Sequence, residues 1–339
     1  MVSSNTLLTI FKYCLGVGAS IPVLLAAGLW FFQRKMIYPA NFPEGSREHV
    51  PRPTDAGLPY EDVRLTTPDG VKLRAYVIPA RRKFVPLEEL RGLSASGMRE
   101  RGKAEMEAWK EEKDSEDAIA YAKSRPTIVM FHANAGNVGH RIPLARKFVS
   151  ELKCNVFMLS YRGYGLSEGS PSEKGIRIDA GAAMEYISTH PILKDTKLVV
   201  YGQSIGGAVC IDTAAAYPDM VSGVIVENTF VSLTSLVPHV MPFIPLLLVR
   251  LLLSEKWDAA KTISLIPATT PMLFLSGKQD QLVPQSQMLA LCALRGDGRL
   301  RWCEFDGTHN DTYLNPGYWI EIRIWLEQEI EGGVEDEKL

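Results

Sequence analysis

The sequence predicts an α/β domain, a mainly parallel sheet flanked by helices, behind a single amino-terminal membrane span. Three observations carry that reading. From Thr127 onward short apolar runs alternate with helix-length segments, an alternating hairpin precedes them, and Tyr13 to Phe32 is an uncharged stretch of twenty residues.

The uncharged stretch is long enough to cross a hydrocarbon core as a helix. It ends in Trp30-Phe31-Phe32-Gln33-Arg34-Lys35 without a small-residue cleavage site, so it reads as a retained anchor and not as a signal peptide. Residues 1–36 are therefore assigned to tail and anchor, 37–335 to the folded domain and 336–339 to a short tail. A single-pass protein of the endoplasmic reticulum or plasma membrane is expected. Lys12 and the terminal amine before the span nearly balance Arg34 and Lys35 after it, so charge assigns no side. The sequon Asn310-Asp311-Thr312 abuts a candidate catalytic histidine, where a glycan would block access, and this favours a cytosolic domain.

Asp62–Thr67 and Val71–Ile78 read as antiparallel strands joined through the turn signal Asp69-Gly70. Thr127–Phe131, Val156–Leu159, Lys197–Tyr201, Gly223–Val226 and Met272–Leu275 suit buried parallel strands, and Trp302–Phe305 a last one. Helices are expected over Val138–Ser150, Glu173–Ile187, Ile205–Tyr217, Gln285–Leu294 and Tyr318–Ile330. Two segments interrupt the alternation. Residues 81–125 are crowded with Glu, Lys, Arg and Ala and read as a solvated, partly helical insertion, with a protein-partner surface as the sharper alternative. Residues 230–268 open on a markedly apolar run containing three prolines, His239 and Arg250, which argue against a second span. Its position between two strands suits a small lid, and an apolar lid suits an apolar substrate; a helix pair that merely covers the sheet is the alternative.

Basic and acidic residues number 37 and 39, a formal net charge of −2, so no electrostatic footprint for nucleic acid exists. Cys14, Cys154, Cys210, Cys292 and Cys303 are scattered, odd in number and without C-x-x-C spacing, as suits buried free thiols. No metal cluster, phosphate loop or dinucleotide fingerprint occurs, and no cofactor is expected.

The chemistry starts at Gly202-Gln203-Ser204-Ile205-Gly206, a G-x-S-x-G motif between a predicted strand and a predicted helix. That context marks the nucleophile elbow of the α/β-hydrolase fold, where glycines two before and two after the serine let strand and helix approach. Gly165-Leu166-Ser167-Glu168-Gly169 matches the same pattern, but Pro171 follows before any helix, so Ser167 should lie in a loop. A serine needs a base, and the base an orienting carboxylate, in the chain order Ser, acid, His. Of the histidines after Ser204, His239 sits in the lid ahead of any suitable acid and His309 in the loop after the last strand, so His309 is the base. Asp280 follows the strand Met272–Leu275 and is the preferred acid, with Asp306 as competitor. Backbone N–H groups of Ile205 and Asn134, or Ala135 in place of Asn134, should form the oxyanion hole.

Several blocks together resemble the bud-emergence-suppressor-like, single-span α/β-hydrolases, which include the animal α/β-hydrolase-domain membrane proteins. His132-Ala133-Asn134-Ala135-Gly136-Asn137-Val138-Gly139-His140-Arg141 is similar to that group's H-G-N-A-G-N-I-G-H-R. Tyr161-Arg162-Gly163-Tyr164-Gly165 and the surroundings of Ser204, Asp280 and His309 match as well. Ala133 departs from the group's glycine, and alanine there would be strained if the turn required positive φ. The resemblance implies hydrolysis of a lipid ester or of an acylated protein's thioester. The expected function is thus a membrane-anchored serine hydrolase for a long-chain acyl group. A serine peptidase for short peptides and a non-catalytic membrane scaffold are the alternatives.

Overall fold

The computed structural model describes residues 27–90, 92–296 and 298–332. Residues 13–26 of the expected membrane span, and Cys14 with them, lie outside the described residues. Among those described, no helix is long and apolar enough to cross a membrane.

Strands covered on both faces have no solvent side, so continuous apolar runs build the centre of the sheet. β1 (Glu61–Thr66) and β2 (Lys72–Ile78) form the hairpin, and β3 (Thr127–Phe131), β4 (Asn155–Ser160) and β5 (Leu198–Gln203) are buried at every residue. β6 (Val221–Glu227) and β7 (Met272–Gly277) are equally enclosed apart from Ser222, and β8 (Leu300–Phe305) is the more exposed far edge. The eight strands lie in the order β1-β2-β4-β3-β5-β6-β7-β8. Only β2 runs against its neighbours, pairing antiparallel with β1 and β4. The parallel registers set Phe131 beside Gly202, Gln203 beside Glu227 and Gly277 beside Phe305. Residues that leave the sheet after those positions therefore emerge along one edge, where open α/β sheets place their ligands.

In chain order the helices are α1 (residues 27–37), α2 (Leu87–Leu90), α3 (Ala95–Glu112), α4 (Glu116–Lys123), α5 (Ile142–Ser150), α6 (Glu173–Thr189), α7 (Ile205–Ala216), α8 (Leu233–Val240), α9 (Leu246–Leu252), α10 (Ala259–Ile263), α11 (Gln285–Arg295) and α12 (Tyr318–Trp325). One face of the sheet is closed by α6, α7, α10 and α11, the other by α5 and α12. Two expected helices are less regular than their periodicity suggests. A 3₁₀ turn, Val138–Arg141, leads into α5, whose first turn carries Pro143, and a π-helical turn, Leu326–Ile330, follows directly on α12.

The charged insertion is helical over most of its length and is docked. Val85, Leu90, Trp109 and Ala122 are buried. A Cβ on Gly102 would fall 1.8 Å from the Thr54 carbonyl oxygen, so α3 lies backbone-to-backbone on the turn Pro53–Ala56. Arg146 of α5 donates to the carbonyls of Ala56 and Val85 and holds turn and insertion together.

The apolar segment after β6 folds as α8, α9 and α10 above the carboxyl edge of the sheet. Pro238 lies inside α8, and Pro245 begins α9. α1 is fastened to this segment. Gln33 donates to the Leu252 carbonyl at 3.2 Å and accepts from Ser254 N–H at 2.8 Å. Arg34 pairs with Glu255 at 2.8 Å. Glu255 is itself buried, accepting from the Tyr38 hydroxyl at 2.8 Å and from Glu173 N–H.

Candidate active site

β5 ends at Gln203 and α7 begins at Ile205, which leaves Ser204 alone in the turn between them with φ 57° and ψ −123°. An L-residue held there stores about 1–3 kcal/mol and persists only where its surroundings over-determine it. Here they do. Ser204 N–H donates to the Glu227 carbonyl at 2.9 Å, and the Ser204 carbonyl accepts from Thr229 Oγ1 at 2.7 Å. The motif's glycines are explained by contact: a Cβ on Gly206 would lie 2.1 Å from the Phe131 carbonyl oxygen, and one on Gly202 would lie 2.2 Å from that of Gly206.

His309 and Asp280 meet across two loops. Asp280 Oδ2 lies 2.7 Å from His309 Nδ1, and its Oδ1 accepts from the N–H groups of Leu282 and Val283 at 2.9 and 2.8 Å. A carboxylate so held fixes the Nδ1–H tautomer and leaves Nε2 as the basic nitrogen. Asp306, the competing acid, is exposed and pairs with Lys278 at 2.7 Å. His239 faces the Gln281 carbonyl.

The His309 loop is tied to the elbow through side chains that sequence reasoning missed. Gln203, the residue before the serine, donates through Nε2 to the His309 carbonyl at 2.5 Å. Asn228, just past β6 and itself at φ 45°, donates to the Thr308 carbonyl at 3.3 Å, the His309 carbonyl at 3.2 Å and Thr312 Oγ1 at 2.9 Å. Its Oδ1 accepts from Gly277 N–H at 2.8 Å, so one buried amide joins the ends of β6 and β7 to the histidine loop. Beneath it, Glu227 accepts from the hydroxyls of Tyr201 and Tyr318, each at 2.6 Å, and burial raises its pKa. Ser204 Oγ and His309 Nε2 form no hydrogen bond with one another, a separation that is common before substrate closes a site.

Ser204, Ile205 and Asn134 line one cavity, whose remaining walls are almost wholly apolar: Phe230, Leu236, Val240 and Ile244 from β6 to α9, and Leu29, Met36 and Ile37 from α1. The Asn134 carbonyl accepts from the Tyr164 hydroxyl at 2.7 Å, and its side chain reaches the Ile37 carbonyl at 3.3 Å. Both N–H groups expected for the oxyanion hole thus belong to residues that border the serine's own cavity.

Ser167 has another task. Its buried hydroxyl donates to the Ser160 carbonyl at 2.7 Å and accepts from Arg74 N–H at 3.0 Å, in the loop after β4.

A family profile described as the alpha/beta hydrolase fold matches residues 126–252. Protein bem46 of Schizosaccharomyces pombe is 40% identical over 327 residues, which cover 96% of each chain. The chain belongs to the bem46-like family of α/β hydrolases. Two further relatives extend the family. Membrane protein YNL320W of Saccharomyces cerevisiae is 34% identical over 93% of this chain and 96% of its own. WAV2 of Arabidopsis thaliana is 35% identical over 92% and 91%. Among solved structures, a Pyrococcus furiosus esterase matches with a TM-score of 0.60 at 17% identity, over 82% of this chain and 94% of its own. An α/β hydrolase from Vibrio vulnificus gives 0.59 at 15%, over 87% and 91%. At such identities these two speak for the fold.

The bem46-like block beginning at His132 is explained by the structure. His132 is buried, with its Nδ1 facing the Ala133 carbonyl at 2.7 Å and its ring against Tyr161, and burial pushes its pKa down to about 3. It is a neutral buttress. Ala133 is absent from the four described non-glycine residues with positive φ, namely Lys153, Ser204, Asn228 and Trp257, so alanine sits there without strain. Gly136 does need its freedom, at φ 78° and packed against His140. The polar ties made by Gln203, Asn228 and Glu227 carried no sequence signal, since Gln203 fills a variable position of the G-x-S-x-G motif and the pair Glu227-Asn228 belongs to no motif.

Proposed function

We propose that this chain is a membrane-anchored serine hydrolase that cleaves an ester or thioester of a long-chain acyl group on a lipid or an acylated protein. The observation that carries the proposal is the strained Ser204 opening into an apolar cavity, next to a histidine loop tied to Gln203. In this reading Ser204 Oγ attacks the acyl carbon while His309 Nε2 takes the hydroxyl proton and Asp280 holds the imidazolium. The N–H groups of Ile205 and Asn134 receive the developing oxyanion. The proton then passes from His309 to the departing alcohol or thiol, and water, deprotonated by the same ring, releases the acyl group from Ser204.

The apolar lining supports an apolar acyl chain, because beyond Gln33, Asn134 and Ser204 every described lining residue is apolar and offers a polar substrate no side-chain partner. The uncharged stretch Tyr13–Phe32 supports the anchor, as does the membrane protein among the relatives. Fluorophosphonate should label the full chain at Ser204, and Ser204→Ala should abolish labelling and lower turnover by roughly 10⁴ to 10⁶. Labelling that persists in Ser204→Ala would refute the assignment. A series of acyl thioesters and esters of increasing length, run beside peptide amides, separates this reading from a peptidase.

A further inference from the structure

α1 is more than a tether. Leu29, Gln33, Met36 and Ile37, spaced along one helical face, line the cavity that holds Ser204, while Trp30, Phe31 and Phe32 are 56%, 76% and 53% exposed. α9 repeats the pattern. Leu248, Val249 and Leu252 line the cavity, and Leu247 and Leu251, one turn apart, are 67% and 71% exposed. Phe243, just before α9, is 79% exposed. A helix with apolar residues on opposite faces is stable where both of those faces are covered, and soluble surfaces rarely carry so much exposed apolar area in one region.

We infer that the outer faces of α1 and α9 seat in a lipid bilayer, so that the acyl chain of a membrane lipid passes between them into the Ser204 cavity without crossing water. The inference rests on the ester or thioester reading above and names the physical state of the substrate. Two observations select a bilayer over a peptide or a second copy of the chain. The uncharged sequence from Tyr13 runs into α1 without interruption, so the chain meets lipid at this face. Lys35 and Arg250 are exposed beside the apolar residues, where their long stems can lie on hydrocarbon with the charge at anionic headgroups. Lys35 Nζ already stands 5.7 Å over the Phe32 ring. The ties from Gln33, Arg34 and Tyr38 to the Leu252–Glu255 segment fix α1 against the lid. The domain is thereby held in one orientation to the membrane.

The test uses the full chain in phosphatidylcholine vesicles containing phosphatidylserine, with Cys14, Cys292 and Cys303 replaced by serine. A fluorophore is attached at Phe243→Cys, at Leu247→Cys or, as control, at Ser188→Cys. Ser188 is exposed in the last turn of α6, about 20 Å along the helix from the end that meets Glu255. Quenching by spin-labelled lipid should be strong at the first two positions and weak at the third. Equal quenching at all three overturns the inference. In a second arm, Phe243→Asp with Leu247→Asp should slow hydrolysis of a vesicle-borne long-chain ester roughly tenfold and leave a water-soluble butyrate ester unaffected. Equal loss on both substrates also overturns it. If instead no ester is hydrolysed and Ser204 is not labelled, the hydrolase reading fails and the quenching pattern alone decides whether this face docks.

Discussion

Replacing Asn228 by alanine tests how the site is held together. The substitution removes the acceptor of Gly277 N–H and the donor shared by Thr308, His309 and Thr312. Loss of the acceptor leaves a buried amide unsatisfied, at about 1–3 kcal/mol. The donor side costs less, because the His309 carbonyl keeps Gln203 and the Thr308 carbonyl keeps Thr312 Oγ1 at 2.7 Å. Alanine at φ 45° adds roughly 1 kcal/mol, a strain that asparagine tolerates better. The combined destabilisation is about 2–4 kcal/mol, on the order of 5 °C in Tm. Asn228→Gly loses the same hydrogen bonds without the strain and should recover about 1 kcal/mol of it. Both variants release the histidine loop, so fluorophosphonate labelling of folded protein should slow as well. Thermal melting in detergent micelles and labelling rates measured well below Tm give the two readouts. An Asn228→Ala protein that melts and labels like the parent would refute the claim that this amide positions His309.

Three further outcomes are expected. The folded pKa of His132 is about 3 against an ordinary 6.5, so its contribution is intact above pH 6.5 and is lost as pH falls towards 3, by about 2 kcal/mol at pH 5; urea midpoints at pH 8 and pH 5 should diverge more in the parent than in His132→Asn. Gly206→Ala forces a methyl group against the Phe131 carbonyl, costs about 1–3 kcal/mol and moves Ile205 N–H, so labelling should fall about 100-fold, and a rate within twofold of the parent would contradict the close approach. Glu255→Ala strips Arg34 of its ion-pair partner and the Tyr38 hydroxyl of its acceptor, so trypsin should cut after Arg34 and Lys35 faster than in the parent, as followed by mass spectrometry.

The sheet was legible because burial on both faces leaves a plain trace. Thr127–Phe131 and Met272–Leu275 are apolar runs that can be nothing but central strands once the turn-rich stretches between them are placed. The positions of Ser204, Asp280 and His309 followed from chain order on that sheet. The insertion was harder. Its composition is that of a solvated arm, and the docking rests on a few residues, Trp109 above all, which nothing in the local charge pattern singles out. Least visible was the polar scaffold. Gln203 and Asn228 act through bonds to residues 106 and 81 positions away along the chain, and periodicity carries no record of such distances. The inward face of α1 was hidden for a related reason. The run Tyr13–Phe32 read as a membrane span looks uniform, although Leu29 within it lines the cavity, and just past it Gln33 is buried against the lid and Met36 and Ile37 face the cavity.

The fastening of α1 to the segment around Glu255 reaches beyond the fold. In a version of the chain shortened to begin after residue 37, the cavity at Ser204 would have lost one side and stand open to solvent. On the proposed function, selectivity measured on such a fragment would describe a shallower, wetter trough, and preferences for acyl length recorded there should not carry over to the intact protein.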